Sequence, residues 1–339
     1  MNAKYLDILS KMETKRNDGD KVLIIDGTNT FLRIWSSVPF MAENGEHMGG
    51  IVGFLRSIGS NIRDYDPTRC VIVFDGKGGS QRRRKIYSEY KQHRSGKYNI
   101  RREEYKSVED EQVSMRRQMA RLIEYLDLLP VTVVCLDNIE ADDVVAYMTQ
   151  DYFVDLKVRI VSTDRDFLQL VSDRVEVWSP VKKKLYTPDV IRDEFGFHPD
   201  NYLIYRALTG DESDNINGIK GIGLKTLLKA FPELVDKTYD VDEIVQLAAS
   251  NGRSGAIVRS VLENRQLLER NVRLMQLSDV DISGQSKIKI LDIVKQVVNR
   301  AANELFKRKL LEDYLGQAFK YPDDWLKNTF GRLNRFQGQ

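Results

Sequence analysis

The chain has 339 residues, 42% of them hydrophobic, with 52 Lys and Arg against 50 Asp and Glu for a formal net charge of +2. That content excludes a disordered polyampholyte and suffices for a sizeable core, even for more than one folding unit. No apolar run of about 18 residues and no secretory leader is visible, which makes a membrane partner unexpected and a cytoplasmic compartment the expectation.

Residues 1–19, ending KRNDGD, read as a short helix or flexible extension without a motif. VLIID at 22–26 closes a predicted strand over 21–26, a helix is expected over 49–65, and CVIVFD at 70–75 closes a second strand over 69–75. A basic segment over 77–106 leads into a helical stretch over 108–127, then strand 131–135, helix 141–153, strand 158–162 and a short strand 175–178. Pro180-Val-Lys-Lys-Lys reads as a surface turn. Short apolar strands alternating with helices predict an α/β fold with a mainly parallel central sheet flanked by helices. Beyond about residue 185 the pattern turns mainly helical and Gly-punctuated. The expected division is an extension over 1–19, an α/β core over 20–185 and a mainly helical region over 186–339, the last two packed together. Cys70 and Cys135 both fall in apolar strand-like segments and read as reduced core thiols without a disulfide framework.

Nine carboxylates form groups of metal-ligand type: Asp26, Asp75, Glu140 with Asp142 and Asp143, Asp164 with Asp166, and Asp211 with Asp214. Several end predicted parallel strands, where an open sheet gathers its ligands. A lone Asp closing a strand is as readily a turn or helix cap, and Glu140-Ala-Asp142-Asp143 suits the first turn of a helix. Such groups gathered together repel one another unless cations sit among them, which points to a shared divalent site.

Residues 77–106 hold eleven Lys and Arg against three Glu, a local charge of +8 apart from the metal-type acids. A solvated loop is the lesser alternative; the separation suits a polyanionic substrate guided to a cation-loaded centre. Helical spacing would place Arg83, Tyr87, Lys91 and Arg94 on related sides, cations facing phosphates and tyrosines, Tyr90 included, facing bases. Lys91 and Arg84 are the candidates for offsetting transition-state charge. Arg82 and, further on, Lys97, Arg101 and Arg102 extend the basic surface. Over residues 217–228, Gly218, Gly221 and Gly223 permit a tight turn before a new helix, where Lys220, Lys225 and Thr226 would face a backbone phosphate. The glycines spell neither a dinucleotide-binding fingerprint nor a Walker loop.

Taken together, LIIDG at 23–27, VFDG at 73–76, EADD at 140–143, STDRDFLQL at 162–170 and GDESDNINGIKGIGLKT at 210–226 resemble the 5′-nuclease family. This family comprises phage 5′-exonucleases, flap endonucleases and the 5′-nuclease domain of bacterial DNA polymerase I. The RDFLQL…WSP combination is most similar to the phage branch called ribonuclease H, which removes RNA primers. The resemblance runs from about residue 20 to 280 or beyond. It implies a first Mg²⁺ on Asp26, Asp75, Glu140 and Asp142, a second near Asp143, Asp164, Asp166 and Asp214 with Asp211 close by, and Mn²⁺ as a substitute. It further implies a helical arch or clamp at the basic segment, its base including Tyr90, Lys91 and Arg94. A duplex-binding helix-three-turn-helix over about 203–235 would carry K⁺ on carbonyls of the Gly218–Gly223 turn. The implied substrate is duplex DNA or RNA/DNA hybrid with a 5′ end or flap, cut by a monomer to leave 5′-phosphate and 3′-hydroxyl during primer removal in a phage-infected host. Two departures stand out: Ser88 replaces a proline that phage relatives carry, and Arg165 replaces a frequent Gly between the two aspartates. A PIN-like RNA nuclease and a noncatalytic junction binder remain alternatives. The terminal FGRLNRFQGQ leaves open a contact with a single-strand-binding protein or replication clamp.

Overall fold

The computed structural model describes residues 20–92, 105–250 and 255–333. Strands β1 (Lys21–Asp26), β2 (Arg69–Asp75), β3 (Thr132–Leu136), β4 (Lys157–Val161), β5 (Val175–Ser179) and β6 (Lys184–Tyr186) form one sheet in the order β3-β2-β1-β4-β5-β6. All pairs are parallel except β5 with β6, an antiparallel hairpin closed by the Lys-rich turn. The strand order reverses direction at β1, which is flanked by β2 and β4, and that is where an open sheet places a ligand crevice.

The strands read as apolar runs because both faces of the sheet are covered. Leu23 and Ile25 of β1 point into a core with Phe31 and Trp35 of α1 (Gly27–Ser37), Phe54 of α2 (Gly49–Tyr65) and Tyr125 further along the chain. Val22 and Ile24 point the other way, into a core with Val144 and Tyr202. Three more helices complete the α/β unit: α3 (Gln81–Ile86), α4 (Val108–Leu126) and α5 (Ala141–Tyr147), the last continuing as a π turn over Met148–Tyr152. Helix α1 follows β1 without a loop; its Gly-Thr-Asn-Thr start is weak helix sequence, and the Asp26 side chain caps it by accepting from Asn29 N.

Beyond the sheet come α6 (Pro188–Phe195), α7 (Tyr202–Thr209), α8 (Leu224–Ala230), α9 (Val241–Ala249), α10 (Ala256–Glu263), α11 (Arg265–Met275), α12 (Gly284–Lys295), α13 (Asn303–Glu312) and α14 (Pro322–Phe330). The sheet ends at Tyr186. Helices α13 and α14 return to the first core: Tyr125 stacks edge-on against Phe306 at 5.4 Å and donates to Asp313 at 2.8 Å, Arg63 donates to Thr329 Oγ1 at 2.9 Å, and Arg56 donates to the Ala318 carbonyl at 2.7 Å. Cys70 is buried as expected, whereas Cys135 is exposed near the end of β3, at the sheet edge. Among the described residues no helix is long and apolar enough to cross a membrane. The expected extension over 1–19 and the terminal aromatic-basic segment from 334 lie outside the described residues.

Candidate metal and phosphate centre

The carboxyl ends of β1, β2 and β4 bring Asp26, Asp75 and Asp164 to one edge of the sheet, and each is braced by a hydrogen bond. Asp26, buried, accepts from Asn29 N at 3.1 Å and Ser162 Oγ at 2.8 Å. Asp75, exposed, accepts from Ala141 N at 2.8 Å and so caps α5, while its own N–H is held by Thr28 Oγ1 at 2.8 Å. Asp164 accepts from Asp166 N at 2.8 Å. The cap reading and the site reading of these aspartates therefore hold together, because the capping bond aims the carboxylate. Thr28, Asn29 and Ser162 are supporting residues that the sequence reading missed. Their only signal was adjacency to Asp26 and Asp164.

Burial and mutual repulsion set the electrostatics. Burial, then the Asp75 charge, pushes Asp26 up to about 6. Burial, then Asp166 and Asp214, pushes Asp164 up to about 7. Asp142 is raised well above the usual carboxylate range by burial and by Asp164, Glu140 and Asp75, against the opposing pull of Lys91. Asp166 is raised by burial despite Arg206. Hard oxygen donors that resist ionising together fit a Mg²⁺ or Mn²⁺ ion, whose charge removes the repulsion.

Four basic side chains already enter this acid set. Burial weakens the Glu140 charge, but Lys91 and Arg83 outweigh it and hold the group below its ordinary range. Lys91 bonds Glu140 through Nζ, lies 4.0 Å from the Asp214 carboxylate, and donates its main-chain N–H to Asp214 O at 2.9 Å. Arg83 pairs with Glu140 and with Asp143 at 2.8 and 3.0 Å, and donates to Leu274 O at 2.8 Å. Arg82 adds a bond to Asp143 at 3.1 Å. Arg206 of α7, absent from the expected set, ties Asp166 at 2.9 Å to Asp211. Among the described residues no three or more His, Cys, Asp or Glu side chains stand together as a ready coordination shell. Of the nine expected carboxylates, Asp143 is engaged by two arginines, Arg82 and Arg83.

The expected basic face is also different. Helix α3 stops at Ile86 with Tyr87 extended, and Lys91 has a left-handed φ of 53°, so Arg83, Tyr87 and Lys91 do not share one helical face. Arg83 and Tyr90 are buried at 3% and 2% exposure and cannot meet phosphates or bases; Tyr90 points its hydroxyl at Glu140, 3.3 Å away. Tyr87 donates to Glu89 and lies under Arg270 at 4.4 Å. Arg84 is exposed and, with Lys91, Asp75 and Glu140, lines a cleft of about 590 Å³. Arg94, Lys97, Arg101 and Arg102 lie outside the described residues.

The glycine turn joins α7 to α8 through a two-stranded ladder of β7 (Gly210–Asp211) and β8 (Ile216–Asn217). A Cβ on Gly218 would lie 2.2 Å from Thr209 O, so only glycine fits, and Gly221 takes a φ of +85°. Thr226 Oγ1 accepts from Gly223 N at 2.8 Å and meets the carbonyls of Gly221 and Gly223 at 3.1 and 2.9 Å. The Gly223 amide is thus taken internally, not left open for phosphate, while Lys220 and Lys225 are exposed as expected. Asn271, fully buried on α11, braces the turn by donating to the carbonyls of Ala207 and Asn217, both at 2.9 Å.

A switch-point sheet with acids at its strand ends, cations in reach and a glycine-turn helix pair describes a metal-using enzyme of phosphodiesters. Residues 21–196 match the family model of the 5′-3′ exonuclease N-terminal resolvase-like domain. A 5′-3′ exonuclease of Aquifex aeolicus is 31% identical, covering 86% of this chain and 93% of that protein. DNA polymerase I of Mycobacterium bovis is 34% identical over 76% of this chain, which spans only 28% of that longer protein. In fold, the chain resembles the D15 flap endonuclease of bacteriophage T5 in a pseudo-enzyme-product complex with DNA and metal ions, with a TM-score of 0.62, 22% identity and coverage of 87% and 99% of the two chains. The chain belongs to the 5′-3′ exonuclease family.

Proposed function

We propose that this chain is a divalent-metal-dependent, structure-specific nuclease that acts as 5′-3′ exonuclease and flap endonuclease on DNA and on RNA primers paired to DNA. The observation that carries this reading is Lys91, which reaches from the base of the basic segment to Glu140 and Asp214 beside the strand-end aspartates. Asp26, Asp75, Glu140 and Asp142 would hold one Mg²⁺; Asp164, Asp166 and Asp214, with Asp143 and Asp211 beside them, would serve a second, with Mn²⁺ as a substitute. Such ions supply a hydroxide-like water near neutral pH and offset charge on the scissile phosphate. Lys91 and Arg84, in the cleft wall, offset the remaining charge during cleavage to a 5′-phosphate and 3′-hydroxyl. Glu140, which would help hold the first Mg²⁺, is bonded to Arg83 and Lys91.

Lys220 and Lys225 would hold the duplex backbone, and the convergent oxygens of Gly221, Gly223 and Thr226 suit K⁺. The basic segment, with Arg94, Lys97, Arg101 and Arg102, would admit the single-stranded 5′ end. The likeness to a flap endonuclease bound to DNA supports this picture. The role is primer removal by a monomer, with a single-strand-binding protein or sliding clamp as the further partner. The test compares 5′- and 3′-labelled blunt duplex, 5′ flap and RNA-primed DNA, each with Mg²⁺ and with EDTA. Mg²⁺-dependent cuts at the 5′ end or flap junction are expected. Tight duplex binding without any cut would replace this reading with a noncatalytic junction binder.

A further inference from the structure

Arg206, in the last turn of α7, joins the carboxylate centre to the glycine turn. It is 9% exposed and engages all three of its guanidinium nitrogens. Nε and Nη2 both donate to Asp166 Oδ1, at 3.0 and 2.9 Å, Nη2 also bonds Asp211 Oδ2, and Nη1 donates to the Gly210 carbonyl at 3.3 Å. We propose that Arg206 is a positioning residue for cleavage: it holds Asp166 in the orientation that receives a divalent ion, and it couples duplex engagement at the glycine turn to that ion. The proposal rests on the nuclease reading for both ligands.

The choice of oxygens carries the first half of the inference. Both bonds to Asp166 fall on Oδ1, so Oδ2 stays out of the fork. The other cation-bound acids of the centre differ. Lys91 takes Oε1 of Glu140 and Arg83 takes Oε2, while Arg82 and Arg83 between them cover both oxygens of Asp143. Those cations occupy their carboxylates; Arg206 orients one and leaves it an oxygen for a metal. Losing an outer partner that fixes a ligand in this way costs about 10–100-fold in metal affinity. The second half follows from the far side of the guanidinium. Asp211 gives Oδ2 to Arg206 and accepts from Ser213 N at 2.7 Å on Oδ1, capping the turn that carries Asp214. Gly210 and Asp211 pair with Asn217 and Ile216, and Gly218 follows at once. The two glycines are pressed together, since a Cβ on Gly210 would lie 2.3 Å from Gly218 N. A shift of the turn under a duplex therefore passes to Asp211, and through the planar fork to Asp166. Lysine, a point charge on a flexible stem, cannot hold all three acceptors at once.

The test uses Arg206→Lys and Asp211→Asn in the full chain, with Lys225→Ala as a control for grip alone. Ion binding is read as the rise in melting temperature across a Mg²⁺ series without DNA. Duplex binding is read on a dumbbell duplex, closed at both ends and so without a 5′ end to cut, in EDTA and in saturating Mg²⁺ at matched ionic strength. Wild type should bind the dumbbell about tenfold more tightly with Mg²⁺ than without it. Arg206→Lys should need about tenfold more Mg²⁺ for half of its rise in melting temperature, and its dumbbell affinity should gain less than about twofold from the ion. Asp211→Asn leaves the bonds on Asp166 in place, so its Mg²⁺ response should stay within about threefold of wild type while the gain in dumbbell affinity falls below about twofold. Lys225→Ala should lose affinity equally in both conditions and keep the wild-type ratio. A lowered melting temperature in Arg206→Lys, with the wild-type Mg²⁺ response and ratio, would make the residue structural and overturn the proposal. A wild-type ratio in Asp211→Asn would overturn the coupling. If wild type binds no dumbbell, the nuclease reading fails by itself. The Mg²⁺ series, compared between wild type and Arg206→Lys, then still decides whether Arg206 orients Asp166.

Discussion

The main-chain N–H of Lys91 donates to the carbonyl of Asp214 at 2.9 Å, joining the exit of the basic segment to the ladder that precedes the glycine turn. The two segments expected to grip nucleic acid therefore meet through this hydrogen bond and through that from Asn215 Nδ2 to Glu89 O at 3.0 Å, beside the carboxylates. The left-handed backbone of Lys91 makes this possible, and its ammonium ion turns back to Glu140.

Lys91→Ala keeps the main-chain bond and removes the ammonium. Cleavage of a 5′-flap substrate is expected to fall by about 10²–10³ under single-turnover conditions, the scale of losing one transition-state donor. Binding in EDTA should change far less. Equal losses in both would make Lys91 a binding contact.

Asp75→Asn and Asp166→Asn should each abolish most cleavage and leave duplex binding measurable. Asn at 75 can still accept from Ala141 N, so the cap on α5 survives and the fold should lose well under about 1 kcal/mol. Retained turnover in either variant would remove that residue from the metal set.

Proton and metal binding are linked at this centre. Asp26 and Asp164 sit at about 6 and about 7 in the fold, raised from 3.8. A raised acid contributes stability while it is protonated, fully below its unfolded value, and that contribution is lost as pH rises through the folded value. Metal-free protein should lose stability between about pH 4 and pH 7, on the order of 3 kcal/mol over that range for Asp26 alone. Glu140 and Asp211, held below their ordinary range, act in the opposite sense but only in more acid solution. Millimolar Mg²⁺ should therefore raise the melting temperature more at about pH 8 than at about pH 5.5. A melting temperature in EDTA that stays flat across this range would contradict the buried, mutually repelling arrangement.

Arg83→Met removes the shared partner of Glu140 and Asp143 and leaves both buried. Breaking a buried ionic network at one member costs about 3–5 kcal/mol, so the urea midpoint should fall sharply. Pairing it with Asp143→Leu should recover part of that loss in a double-mutant cycle. Strict additivity would mean that the two side chains are not coupled.

Lys225→Ala, at the exposed start of α8, should weaken duplex affinity and reduce its salt slope by about 0.9 while leaving cleavage of saturating substrate close to normal. An unaltered slope would detach the glycine turn from the duplex.

Much of the fold was legible because the strands are short apolar runs and end in aspartate; β1 and β2 fall where the sequence placed them, and β4 within a residue. Helix α1 was not expected, since it opens on Gly27, Thr28 and Asn29, weak helix formers, and starts on the Asp26 cap. The candidate site was legible as a collection of acids and less so as an arrangement. Spacing placed Arg83 and Tyr90 among surface groups because a continuous helix was assumed, whereas Tyr87 is extended and the chain folds both side chains inward. Arg206 and Asn271 gave no signal at all, because their partners come together only through the packing of α7 against α11 and the loop after β4.

The return of α13 and α14 onto the first core sets a temporal order during translation. Tyr125, Phe54 and their neighbours emerge from the ribosome long before Phe306, Phe319 and Phe330, which cover them. Until then a nascent chain can pair its sheet and assemble its acids while one apolar layer still faces solvent. Chaperone occupancy of that layer, and tolerance of stalled synthesis, should therefore depend on whether the ribosome has passed the codons for α14.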